Sequence, residues 1–353
     1  MSKFFSEKYK DLKAYTPGEQ PKDMKYVKLN TNESPFPPPP SVITAVSDAA
    51  GSLKLYSDPE CSSLVSAFAA LYGVDDTQVI MTNGSDEVIN FAFMAFSDEN
   101  HPIVFPDITY GFYKVFARLN GIPYEEIPLK SDFTVDPADY CGINKNIIIA
   151  NPNAPTGNAL TLSDIEKVVE SNPNNVVVID EAYVDFGAES AVCLIEKYDN
   201  LLVTGTFSKS RSLAGGRLGF GIGSAELIRD LNTIRYSTNP YNVNRMTMAA
   251  GIAAVADNEY FMDNCKTIIE NREWTTERLQ SLGFELTDSK ANFVFAKSDK
   301  VSGEELYKKL KERGVLVRHF NGDRIKEYCR ITIGTRKEME RLVSEIEDIL
   351  KEK

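Results

Sequence analysis

The sequence predicts an α/β protein: a large domain on a mostly parallel, doubly wound sheet, followed by a small α+β domain at the C-terminus. Three observations carry this. Five short runs, QVIMT (78–82), PIVF (102–105), NIIIA (146–150), NVVVID (175–180) and NLLVTGTF (200–207), are rich in Val, Ile and Leu and lack polar alternation, as strands covered on both faces do. Most are separated by segments long enough for the crossover that parallel neighbours require. From about residue 258 the pattern changes to one long helical stretch and then short strands alternating with helices.

The elements follow in order. Residues 1–40 are charged and then proline-rich (SPFPPPP, 34–40), the composition of an arm rather than a packed layer. Residues 41–257 hold the five runs and form the large domain. Residues 258–353 open with a helix that stops at Gly283 and continue with ANFVFAK (291–297) as a strand. The next helix, 302–314, carries a Ser302/Glu305 capping box and a Gly314 stop. VLVRHF and YCRITIG then read as two more strands, and 336–353 as a closing helix.

Bulk properties narrow the function. A net charge of −12 argues against a nucleic-acid partner, which needs a basic face. No apolar run approaches the roughly 20 residues of a membrane span, and the opening MSKFFSEKYKDLK lacks a signal-peptide apolar region. Five scattered cysteines without CxxC spacing read as reduced thiols of a cytoplasmic protein. With only His101 and His319 present, neither a His-rich metal site nor a Ser-His-Asp triad is expected, and no metal is assigned.

Ligands of open α/β sheets bind beyond the carboxyl ends of the strands. There the five runs lead into NGSDE, PDITYGFY, NPNAPTG, DEAY and SKS. Each has a bland reading as a cap or turn, but all five converge on one crevice. Gly84, Ser85 and Asp86 open a helix and make a phosphate seat. Thr206, Ser208 and Arg217 supply further donors, and residues 200–225 contain no Asp or Glu although acids outnumber bases 51 to 39 overall. Asp180, ending a buried strand, suits a cationic ring nitrogen, and Tyr110 suits a ring face. Dehydrating Lys209 beside cations favours its nucleophilic free amine. Phosphate, ring, pyridinium and lysine together describe pyridoxal 5′-phosphate. GFGIG (219–223) has the wrong glycine spacing for a dinucleotide-binding turn.

The segment SKSRSLAGGRLGF (208–220) resembles the lysine segment of fold-type-I (class II) aminotransferases, with DEAY 29 residues upstream and NPNAPTG before it. The resemblance spans nearly the whole chain. AYTPGEQP, KLNTNESPF and CRITIGT are more similar to the histidinol-phosphate aminotransferase branch than to others. It implies a PLP-transferase-like fold and an amino transfer between glutamate and histidinol phosphate's keto form, imidazole-acetol phosphate. A threonine-phosphate decarboxylase-like enzyme or an aromatic amino-acid aminotransferase is the alternative. Lys209 would hold the cofactor covalently and shuttle a proton, Asp180 would keep the ring nitrogen protonated, and Tyr183 would bond the phenolic oxygen. Tyr56 would reach the phosphate of a neighbouring subunit, implying a homodimer with shared sites. Arg330 would grip the substrate's anionic end, with Tyr15 and Asn32 from the arm closing over it. Arg318 is a further cationic candidate, while Arg211 reads as a solvated helix-face residue. The family's turn has Asn directly before Pro; here that position is Ala154, so either Asn153 substitutes through a shifted turn or Tyr183 is the sole direct donor.

Overall fold

The computed structural model describes residues 2–352. Among these residues thirteen strands form three sheets: β1 (Val27–Lys28), β2 (Val79–Thr82), β3 (Ile103–Pro106), β4 (Tyr124–Ile127), β5 (Asn146–Ala150), β6 (Val177–Asp180), β7 (Leu201–Thr206), β8 (Gly219–Gly223), β9 (Phe284–Leu286), β10 (Phe293–Ser298), β11 (Val315–Leu316), β12 (Arg318–His319) and β13 (Cys329–Thr332). The main sheet has the order β2-β8-β7-β6-β5-β3-β4. Its pairs are parallel except those made by β8, which runs antiparallel between β2 and β7.

The predicted fold class holds, and the cause is visible along single strands. Ile147 and Ile149 face one apolar core while Ile148 and Ala150 face another; Val177 and Ile179 separate from Val178 in the same way. Successive side chains of a strand point to opposite faces, so a run apolar at every position is what a sheet covered on both sides demands. Two strands of this sheet were not expected. β8 is the GFGIG segment, and β4 (YEEI) is a charged strand at the sheet edge.

A separate core lies C-terminally. The helix Asn258–Ser281 ends before Gly283 at φ +89°, and Ser302 Oγ accepts from the Glu305 N–H at 3.3 Å. The closing helix Arg336–Lys351 carries a Thr335/Glu338 capping box. VLVRHF is not one strand. Its first half, β11, pairs in parallel with β1 of the N-terminal arm, and its second half, β12, pairs with β13 in a sheet ordered β12-β13-β10-β9. Leu29 of the arm is buried in this C-terminal core. Two residues on, the Thr31 carbonyl accepts from Lys209 Nζ, which brings the arm to the loop that follows β7. Among the described residues, no helix is long and apolar enough to cross a membrane.

Candidate active site

Beyond the carboxyl ends of β5, β6 and β7 lies a cavity of 260 Å³. Its wall includes Ser85, Asp86, Tyr110, Asp180, Tyr183, Thr206, Ser208, Lys209 and Arg217, all expected from the sequence, together with Thr31, Glu33 and Ala154.

One end is built from a turn, a helix start and a strand. The chain leaves β2 and turns at Gly84, φ +80°, to begin the helix Ser85–Phe96. A β-carbon at Gly84 would stand 2.5 Å from Arg217 Nη2, so the glycine lets the guanidinium lie over the helix N-terminus. Arg217, itself at φ +53°, reaches the Asp86 carboxylate at 3.2 Å. At the end of β7, Thr206 and Ser208 are buried with their hydroxyl oxygens 2.9 Å apart, and the Ser208 N–H donates to Thr206 Oγ1. Free backbone N–H groups at a helix start, two hydroxyls and an arginine make an anion seat.

Asp180 closes β6 and is buried. Burial raises its carboxyl to about 6, although the Tyr113 hydroxyl, donating at 2.7 Å, and the Ala182 N–H, at 3.3 Å, favour the ionised form. Tyr113 is one residue of the site that sequence reasoning missed. PDITYGFY contains two tyrosines, and only Tyr110 was assigned. The Tyr110 ring lines the cavity, with its hydroxyl donating to Asp86 Oδ1 at 2.7 Å.

Lys209 Nζ donates to the Thr31 carbonyl at 3.3 Å and sits 5.7 Å from the centre of the Tyr183 ring. The Tyr183 hydroxyl accepts from Asn32 Nδ2 at 3.0 Å. Asn32 is buried at φ +58° and bonded to Thr332, so the arm is fixed where it covers the lysine. Glu33, also unassigned from sequence, joins the wall and is hydrogen-bonded by Lys28 and Thr31. Burial pushes its carboxyl up, but those two bonds outweigh burial and leave it below its ordinary value.

Several assignments need correction or placement. Asn153 is turned from the cavity: its oxygen accepts from Thr109 at 2.7 Å, and its amide donates to the Ile108 carbonyl and Thr156 Oγ1, both at 2.9 Å. Those bonds consume the side chain, and Ala154 faces the cavity instead. Arg211 is not a solvated helix-face residue; it is 4% exposed. Tyr56 is 79% exposed and stacks on Tyr241 at 4.5 Å, away from this cavity.

The remaining cations lie on the small sheet. Arg318 and Arg330 are directly opposite each other in the β12/β13 pair, so their side chains share one face. Arg330 Nη2 donates to the Asn30 carbonyl at 3.0 Å, while its Nε is buried with no partner among the described residues. Burial lowers the Arg330 pKa and neighbouring Arg318 acts in the same sense, with Tyr183 and Tyr15 opposing. Arg318 donates to the Thr16 carbonyl at 3.5 Å. Tyr15 packs on Phe112 at 4.2 Å and edge-on to Tyr110 at 6.5 Å, bringing the arm to the cavity's rim. Two like charges opposite one another, with an orphaned donor, suit an anion.

Residues 24–346 match the family described as aminotransferase class I and II. The chain belongs to this family. It is 50% identical over 353 residues, 99% of this chain and 100% of the relative, to a histidinol-phosphate aminotransferase of Brachyspira hyodysenteriae. A histidinol-phosphate aminotransferase of Clostridium acetobutylicum is 48% identical over 351 residues, 99% of this chain and 100% of that protein. The crystal structure of the Sinorhizobium meliloti histidinol-phosphate aminotransferase in complex with pyridoxal 5′-phosphate has a TM-score of 0.85 at 24% identity, covering 93% of this chain and 92% of that one, a likeness of fold.

The cofactor of class I and II aminotransferases is pyridoxal 5′-phosphate, and the residues here fit it. The Gly84 cradle and Arg217 suit a phosphate, the buried Asp180 carboxylate suits a cationic partner, and Lys209 offers an amine to the same cavity.

Proposed function

We propose that this aminotransferase exchanges an amino group between glutamate/2-oxoglutarate and histidinol phosphate/imidazole-acetol phosphate, a step of histidine biosynthesis. The observation that carries the substrate choice is the cross-strand pair Arg318/Arg330 with the orphaned Arg330 Nε. A phosphate end carries more charge than a carboxylate and compensates two guanidiniums. The naming of full-length relatives at 50% and 48% identity supports the same choice.

The bound cofactor supplies an electron sink for the charge left on the substrate α-carbon. The protein's residues do the rest. Lys209 would hold the cofactor covalently and move the proton at the α-carbon. Asp180 would keep a proton on the ring nitrogen by its charge, and Tyr183 would donate to the phenolic oxygen. Since Asn153 is committed elsewhere, Tyr183 would be the sole direct donor there. The Ser85 and Asp86 amides, Thr206, Ser208 and Arg217 would hold the phosphate. Tyr110 would cover the ring, and Tyr15 and Asn32 would close over the substrate.

We further infer a homodimer in which Tyr56 serves the neighbouring site, a cytoplasmic location, and a division into an arm (1–40), a large domain (41–257) and a small domain (258–353). The exposed Tyr56 and five unpaired cysteines support the first two. Incubating purified enzyme with histidinol phosphate and 2-oxoglutarate should yield glutamate. Release of CO₂ from a phosphoamino acid, with no glutamate formed, would overturn the assignment in favour of a decarboxylase.

A further inference from the structure

Arg211 lies two residues after Lys209 and is 4% exposed, yet among the described residues it forms no ion pair with a carboxylate. A buried charge without a counter-charge is costly unless its donors are fully used. Its guanidinium stands between two wholly buried rings, 5.4 Å from the centre of Phe207 and 5.8 Å from that of Phe261. Nη2 donates to Asn258 Oδ1 at 2.7 Å and Nη1 to the Ala254 carbonyl at 3.4 Å.

Those two oxygens flank a single joint. Ala254 is in the last turn of the helix Arg245–Ala256, where an unsatisfied carbonyl and the helix dipole favour a cation. Asn258 begins the helix Asn258–Ser281, with only Asp257, at φ −102° and ψ +36°, between them. This second helix crosses from one core to the other. Phe261 belongs to the core of the main sheet, while Cys265 and Ile268, one and two turns on, belong to the C-terminal core that also takes in the arm residue Leu29. Arg211 therefore fastens the lysine-bearing loop to the joint on which the C-terminal unit, with Arg318 and Arg330, is mounted.

We propose that Arg211 is a positioning residue that couples the placement of Lys209 to the joint at Asp257, so that the lysine and the substrate-gripping arginines keep a fixed relation. The inference rests on the functional reading above. A misplacement of about 1 Å at a reacting group costs on the order of a hundredfold in rate, so the link acts on turnover rather than on binding.

The test uses holoenzyme. Arg211→Lys keeps the charge but loses the planar fork; Asn258→Ala removes one acceptor. We expect Arg211→Lys to retain the cofactor but lower kcat about tenfold or more with KM changed far less. Asn258→Ala should lower kcat about threefold, and the double variant should be no worse than Arg211→Lys alone, because both cut one link. Wild-type kcat and an unaltered visible spectrum of the bound cofactor in Arg211→Lys, with only a lower Tm, would overturn the proposal, as would additive losses. If Arg211→Lys does not fold, Asn258→Ala decides: wild-type kcat there overturns it. Wild-type enzyme on which borohydride fixes no cofactor to Lys209 would instead sink the functional reading, and this inference with it.

Discussion

Asp180 ends a buried strand with one side-chain donor, the Tyr113 hydroxyl at 2.7 Å, and a carboxyl raised by burial to about 6. That donor favours the ionised form, so removing it moves the carboxyl further up. A cationic ring nitrogen pairs with the carboxylate, so protonating it on acidification weakens the hold of the cofactor-free protein on the cofactor. Tyr113→Phe should therefore shift the acid side of the cofactor-affinity pH profile upward by about one unit, with little change on the alkaline side. A profile superimposable on wild type would remove Tyr113 from the machinery. On the substrate side, Arg330→Lys keeps a charge but cannot offer two parallel donors, and should raise KM for histidinol phosphate about tenfold while kcat falls less. Steady-state kinetics with histidinol phosphate and with glutamate would show whether the loss is confined to the phosphate substrate. Residue types at strand ends were enough to assemble Lys209, Asp180, Tyr110 and the anion seat from the sequence. What stayed hidden was decided by tertiary partners. Nothing local distinguishes Tyr113 from Tyr110 until one hydroxyl meets Asp180 and the other Asp86. Arg211 has the composition of a surface residue, and its burial involves Tyr72, Ala254, Asn258 and Phe261, which lie far from it in the sequence.

At the scale of elements, β8 decides the geometry of the anion seat. A β-carbon on Gly219 would fall on the backbone of Gly84 and Ser85, where no flexible side chain can yield. Gly219→Ala should thus cost about 1–3 kcal/mol of stability and weaken cofactor binding about tenfold or more. Thermal unfolding of the cofactor-free protein and a fluorescence titration with the cofactor measure the two effects; an unchanged affinity would mean that the helix start is not part of the seat. The parallel strands were legible because each is apolar at every position, whereas β8 and β4 were not. GFGIG owes its place to close backbone approach rather than to β-branched side chains, and YEEI is charged because an edge strand tolerates and benefits from charge. The splitting of VLVRHF between two sheets was equally invisible, since the partner of its first half is β1, almost 300 residues earlier. No window of local sequence carries a pairing of that range.

Over the whole molecule, the same arm that covers Lys209 also ties the N-terminus to the C-terminal sheet, so the site is closed by segments far apart in the chain. One expected contributor stays outside it. Tyr56 is 79% exposed, beside Leu53 at 54% and Leu55 at 60%. Exposed apolar side chains grouped in this way support the association proposed above. In the two-fold dimer proposed above this patch would meet its counterpart, and the same proposal has Tyr56 of each chain serving the site of the other. The consequence can be measured without a structure. Tyr56→Ala and Lys209→Ala should each be strongly impaired alone, because every site in either parent lacks one of the two groups. Subunits reassociated at random from an equal mixture give about half hybrid dimers, each with one site holding an intact Lys209 and an intact Tyr56 from opposite chains. Activity should therefore return to about a quarter of wild type. Recovery no greater than the mean of the two parents, in a mixture shown by mass spectrometry to contain hybrids, would place Tyr56 outside the neighbouring site.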